Sequence, residues 1–234
     1  MDFRTELMNR ASSWEMSENP LVQGVQAGRF SREALAIYGR RLEVITELFP
    51  RLLAHLMAIC PNWTLRQHSL ANLMEEEAFF FKKGQLTGSE SKSHLGLVRR
   101  FQAHLPPPPE DSWHNENRQL TRWLAEGAWP AVAAFLFIGM EHSTPSTFEK
   151  IIPALRTHYS LSDYALNYFI VHLGADVIHS ARGADMLAAH CHDAESQALA
   201  LEGASLGGRS WYLFHSLCAR DMVRMDACPV PRSH

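Results

Sequence analysis

The segment His172-Leu173-Gly174-Ala175-Asp176-Val177-Ile178-His179 places two imidazoles and a carboxylate at positions i, i+4 and i+7. On a helix, at 100° per residue, Asp176 lies about 40° from His172 and His179 about 20° to its other side. The three side chains therefore share an arc of about 60° and span roughly 10 Å of helix axis. Borderline imidazole nitrogen together with hard carboxylate oxygen suits iron or manganese. The span exceeds what one ion needs and is comfortable for two ions about 3.5 to 4 Å apart. The competing reading is a polar helix face laced by i, i+3 and i, i+4 ion pairs. Tyr168, Phe169, Ile170, Val171 and Ile178 speak against it, because they leave such a helix almost no solvated side. Charge on a helix of that kind is costly unless paired or coordinated.

Further donors must come from facing segments. Glu141 ends the apolar run Ala133-Ala134-Phe135-Leu136-Phe137-Ile138-Gly139-Met140, where an unpaired carboxylate would be costly. Of the acidic triple Glu75-Glu76-Glu77, Glu76 lies one turn from both Leu73 and Phe80 and is expected to share their inward face. His94 opens the next helix and could reach the same centre.

These residues need helices to carry them, and the chain reads as helical nearly throughout. Ser31 is an N-cap for a helix running to about Ala58, with Tyr38, Leu42, Ile45, Phe49, Leu52 and Leu56 as its buried stripe and Pro50 as a kink. Further helices are expected over about Leu65–Phe81, from Ser93 to before Pro106-Pro107-Pro108-Pro109, and over Asn115–Glu126, Pro130–Tyr159, Asp163–His190 and Ala194–Met225. The four prolines form a stiff linker. Gly84 to Lys92 is expected to be a polar loop. No strand-like alternation and no internal repeat is visible, so residues 1–234 are expected to form a single all-α bundle.

Composition narrows the function classes. A hydrophobic content of 46% and a charged content of 20% are those of a globular chain with a core. A net charge of -3 offers no footprint for nucleic acid. No apolar run reaches the roughly 18 residues of a membrane span, and the start of the chain lacks the apolar stretch of a signal peptide. Cys60, Cys191, Cys218 and Cys228 show no paired spacing, so a cytoplasmic location is expected. The 13 histidines alone raise the expectation of a metal only slightly.

The order Glu76, His94, Glu141, then His172-x3-Asp176-x2-His179 resembles the haem-oxygenase-like diiron oxidases and oxygenases. Phe49-Pro50-Arg51, Asn72-Leu73-Met74-Glu75-Glu76 and Ser162-Asp163-Tyr164 resemble recurring segments of that family, so the likeness covers most of the chain. It is nearest to the branch that includes the chlamydial death-domain-associating protein. The resemblance implies a seven-to-eight-helix bundle of the haem-oxygenase (TenA/PqqC) type and two iron ions, with manganese acceptable in one site. It assigns Glu76, Glu141 and His172 to one iron and His94, Asp176 and His179 to the other. Glu43 or Glu47 could fill the place of a carboxylate that some relatives add, although both lie opposite the apolar stripe of their helix.

The implied chemistry is reduction of O2 to a peroxide bridging the irons, then oxidation of a small amino-acid-like or carboxylate substrate by N-oxygenation, desaturation or oxidative C–C cleavage. An external reductant is implied, a homodimer is compatible with the reading, and neither nucleic acid nor membrane is an expected partner. Two departures bear on this. The stretch from Ala78 to Ser93 is longer than the short turn usual in the family. In the p-aminobenzoate-forming branch a tyrosine near the chain start and a lysine act as reactants; the matching places here hold Val22 and, offset, Lys150, so that self-consuming reaction is not expected. Two other readings of the same fold are a metal-free thiamin-salvage hydrolase, which needs a cysteine near the pocket, and a non-catalytic helical binding protein.

Overall fold

In the computed structural model the described residues are 2–107 and 118–227. Pro108, Pro109 and the expected helix start at Asn115 lie outside them, as does Cys228. No helix among the described residues is long and apolar enough to cross a membrane.

Two short helices that the periodicity did not reveal open the chain: α1 (Phe3–Ser12) and α2 (Pro20–Gln26). Each has a side-chain cap, the Asp2 carboxylate accepting from the Thr5 amide and the Asn19 carbonyl from the Leu21 amide. The long α3 (Arg32–Ile59) begins at Ser31, whose hydroxyl accepts from the Ala34 amide, and continues through Pro50. Next come α4 (Trp63–Glu76), α5 (His94–Ala103), α6 (Arg118–Glu126), α7 (Trp129–Ala133), α8 (Thr144–Tyr159), α9 (Asn167–His190) and α10 (Ala194–Ala227).

Two expectations fail here. The helix expected over Pro130–Tyr159, with a kink where Pro145 and Pro153 interrupt it, is two helices joined by a π-helical stretch, Ala134–Met140, with Pro145 in the first turn of α8. The helix expected to run to Phe81 ends at Glu76, and its last residues and the expected loop from Gly84 form an antiparallel hairpin, β1 (Phe79–Lys82) and β2 (Gln85–Gly88), with Phe81 opposite Leu86. Helix α4 stops because Ala78 turns to a positive φ of 51°, which throws the chain into the strand. Phe80, expected inward, is therefore half exposed at 49%.

The core has two lobes. Tyr38, Phe101, Phe148 and Phe169 fill one, and Leu53, Phe135, Phe137 and Leu187 the other. Helices α3, α9 and α10 contribute to both lobes, so inward polar groups near the middle of α9 are held between two apolar masses. The outer side of α9 differs from expectation: Val177 and Ile178 are more than half exposed, which leaves this helix an apolar face in water.

Candidate metal centre

All six expected side chains are buried and converge. Their donor atoms form two groups, Glu76 with His94 and His172, and Glu141 with Asp176 and His179, and within each group the atoms lie within 4.8 Å of one another. This division differs from the expected one by exchanging His94 and Glu141. Spacing along a chain says which residues share a helix face, but not which ones meet across helices.

His94 arrives from the far side of the hairpin. Ser93 caps α5, its hydroxyl accepting from the Gly96 amide, which fixes His94 in the first turn. From there His94 Nδ1 lies 2.7 Å from Glu76 Oε2. Burial pushes the Glu76 carboxyl up, but the facing His94 outweighs it and the net shift is downward. For His94 burial lowers the pKa, and Glu76 more than restores it. The two face each other as a buried carboxylate–imidazole pair. The third member, His172, donates from Nδ1 to the Tyr168 carbonyl at 2.6 Å, which leaves the lone pair on Nε2. Burial, and then the charge of His94, holds the His172 pKa down at about 4, so the ring is neutral.

Glu141 owes its direction to the π-helix. Its amide donates to the Leu136 carbonyl, five residues back, at 3.3 Å. That wider ring turns the residue from the position an α-helix would have given it. The π-helix lies close to α10, because a Cβ on Gly207 would meet the Phe135 carbonyl oxygen at 2.5 Å. The Asn72 amide donates to Glu141 Oε1 at 2.8 Å. His179 Nδ1 faces Glu141 Oε1 at 3.7 Å and Asp176 Oδ1 at 3.9 Å, too far for hydrogen bonds.

The charge balance of the second group is poor for protein alone. Burial, and next the charge of Asp176, drives the Glu141 carboxyl well above its ordinary value. Burial, and next Glu76, does the same to Asp176. Glu141 Oε2 and His179 Nδ1 are buried without a hydrogen-bond partner. Leaving such groups unpaired costs roughly 1 to 3 kcal/mol each. A cation bound by these atoms would remove that cost, so the donor set fits a divalent metal.

A cavity of about 40 Å³ adjoins both groups; Glu76, Glu141, His172 and Asp176 line it together with Phe49 and Trp211. Tyr168 also lines it, its hydroxyl accepting from Thr46 at 3.2 Å.

Some contributors were not anticipated. Glu75, passed over in favour of Glu76, accepts from His179 Nε2 at 3.1 Å. Asn72 belongs to a segment quoted for the family resemblance, which was the available signal for it. Glu43 is not at the centre, and it is less exposed than expected: Arg40, Arg99 and Gln102 surround its carboxylate. Glu47 is half exposed and pairs with Arg51. Val22 is packed in the core and Lys150 lies on α8; neither lines the cavity.

Residues 38–212 match the family model described as an iron-containing redox enzyme. Over 179 residues the chain is 25% identical to 4-aminobenzoate synthase of Chlamydia pneumoniae, covering 74% of this chain and 75% of that one. The fold is shared with a domain of unknown function with a heme oxygenase-like fold from Shewanella denitrificans, at TM-score 0.72 and 13% identity over 100% of this chain and 98% of that one. It is also shared with a TenA homologue from Pseudomonas syringae pv. tomato, at TM-score 0.72 and 12% identity over 92% of each chain. The architecture is thus the all-α haem-oxygenase-like bundle that the ligand order had suggested.

Proposed function

This chain belongs to the family of iron-containing redox enzymes, and from that premise we propose that it is a cytoplasmic non-haem diiron oxidase or oxygenase. It activates O2 and oxidises a small amino-acid-like or carboxylate substrate by N-oxygenation, desaturation or oxidative C–C cleavage. The observation that carries this reading is the pair of buried triads, Glu76–His94–His172 and Glu141–Asp176–His179, beside one cavity.

Each triad holds one ion in this reading, and their three carboxylates offset most of the charge of two ferrous ions. When bound, the irons supply electrons to O2 and stabilise the negative charge that develops on oxygen. The protein's own part is positional. The Tyr168 carbonyl fixes which nitrogen His172 presents, and the Asn72 amide holds one oxygen of Glu141. Such outer partners set the orientation and basicity of ligands. Phe49, Met140 and Trp211 give the cavity apolar walls. At about 40 Å³ it has room for O2 or a few waters, so an amino-acid-sized substrate enters only as the walls move. Repeated turnover would require an external reductant to supply electrons to the bound irons. The oxygen-rich triad of Glu141, Asp176 and His179 also accepts manganese.

The name of the chlamydial relative, 4-aminobenzoate synthase, supports a substrate carrying amine and carboxylate groups. Val22 and Lys150 argue against consumption of the chain's own side chains. The metal-free hydrolase reading needs a thiol in the pocket, and none is among the described residues lining the cavity.

The test is O2 consumption after anaerobic Fe(II) loading, with panels of amino acids, aminobenzoates and fatty acids. We expect uptake that depends on bound Fe(II) and quickens with one compound class. Uptake no faster than that of free Fe(II) in buffer, with every compound, would overturn the proposal.

A further inference from the structure

Among the six inward donors, His179 stands apart in being bonded to a carboxylate outside both triads. Glu75 Oε2 lies 3.1 Å from His179 Nε2, while Nδ1, on the opposite side of the ring, faces Glu141 and Asp176. A carboxylate can only accept, so the Nε2 proton is committed to Glu75 and the buried, unpartnered Nδ1 is the atom left for a ligand. The Glu75 side chain is 50% exposed, whereas that of His179 is 9% exposed. Glu75 therefore grips the ring from the rim of the site and is not itself inside it. His172 is held by a backbone carbonyl that no substitution removes; His179 is held by a replaceable side chain.

We propose that Glu75 is the positioning residue of the second triad: it fixes His179 with its proton on Nε2 and its Nδ1 lone pair on the metal side. The inference rests on the two-triad reading and adds to it which histidine nitrogen binds and what orients it. The same geometry explains the adjacent acidic pair. Near the end of α4, successive residues diverge by about 100°, so Glu76 enters the first triad while Glu75 reaches over the rim to the second. Removal of an outer carboxylate of this kind typically costs 10- to 100-fold in metal affinity.

Two measurements on the full chain test this, using Glu75→Ala and Glu75→Gln. The first is 15N NMR of the metal-free, 15N-histidine-labelled protein. The wild type should show a slowly exchanging proton on His179 Nε2, which Glu75→Ala loses and Glu75→Gln, whose amide oxygen still accepts, retains. A wild-type ring protonated only on Nδ1, or the same spectrum in Glu75→Ala, would overturn the assignment whether or not the protein binds metal. The second is Mn(II) titration followed by the EPR signal of the free ion. We expect Glu75→Ala to weaken one of two sites by about 10- to 100-fold and to spare the other, with Glu75→Gln close to wild type. Equal weakening of both sites, or of neither, would contradict the positioning role. A wild type that binds no Mn(II) and no Fe(II) would sink the diiron reading while leaving the NMR result to decide Glu75.

Discussion

The rings of His94 and His172 stand 4.5 Å apart and tilted by 53°, one from the first turn of α5 and the other from the second turn of α9. Neither is the other's hydrogen-bond partner. His172 spends its Nδ1 proton on the Tyr168 carbonyl, and His94 Nδ1 sits against Glu76. Two buried imidazoles this close, with a carboxylate between the helices that bring them, have the geometry of ligands to a shared cation.

His172→Ala should therefore remove one metal equivalent and leave the Glu141–Asp176–His179 group able to hold the other. Asp176→Ala should do the converse. Iron content after anaerobic Fe(II) loading and desalting checks this, with far-UV circular dichroism as the control for folding. Unchanged iron in both variants would refute the ligand set.

Much of this centre was legible from residue order. The His172, Asp176 and His179 face could be read because a regular helix converts spacing into direction, and the apolar flanks made its charges conspicuous. The start of α3 was legible from Ser31 for the same local reason. The π-helix was not, because Ala134–Met140 is apolar throughout and gives the periodicity no polar residue by which a one-residue slip could be read. The hairpin was hidden by Phe79-Phe80-Phe81, which read as the end of a helix with Phe80 inward, whereas the φ of Ala78 turns them outward. Grouping the ligands required knowing which helices face each other. Glu75 was discounted because an exposed acidic triple is ordinarily a solvated surface.

Gly207→Ala tests whether the approach of α10 sets Glu141. The added carbon would press on the Phe135 carbonyl and also crowd Gly139, whose own Cβ position lies 2.4 Å from Gly207 Cα. Overpacking of this sort costs about 1 to 3 kcal/mol, against a gain of about 1 kcal/mol in helix propensity. Thermal melting should show net destabilisation, and the metal equivalent associated with Glu141 should weaken. A more stable variant with full metal content would show that the π-helix does not depend on this contact.

His215 predicts an acid sensitivity away from the metal centre. It is fully buried, donates from Nδ1 to the Trp211 carbonyl at 2.8 Å, and accepts at Nε2 a hydrogen bond from the Tyr38 hydroxyl, 3.2 Å away. Burial lowers its pKa from 6.5 to about 4. Below pH 6.5 the unfolded chain binds a proton that the folded ring refuses, so stability falls as the pH drops from 6.5 to about 4. Between pH 7 and 5 this amounts to about 2 kcal/mol. Urea melts of His215→Gln should show a pH 7-to-5 loss smaller than wild type by about that amount. An equal loss in both proteins would mean that His215 does not carry the linkage.

In the metal-free protein the Glu141–Asp176 pair should have the opposite slope with pH. Glu141 and Asp176 are both raised, by burial first and then by neighbouring carboxylates, so folding resists their ionisation. In the metal-free protein that resistance costs stability as the pH rises past the ordinary carboxylate range. A divalent ion relieves it by replacing the protons. Mn(II) should therefore raise Tm by more near pH 8 than near pH 6, as read by scanning fluorimetry at fixed metal excess. A larger shift at the lower pH would show that these two carboxylates are not where the ion binds.

The central claim is that two irons sit in two named triads, and anomalous diffraction at the iron edge from crystals loaded anaerobically with Fe(II) tests it most directly. Two peaks are expected, one among Glu76, His94 and His172 and the other among Glu141, Asp176 and His179. A single peak, no peak, or iron bound elsewhere on the chain would contradict it.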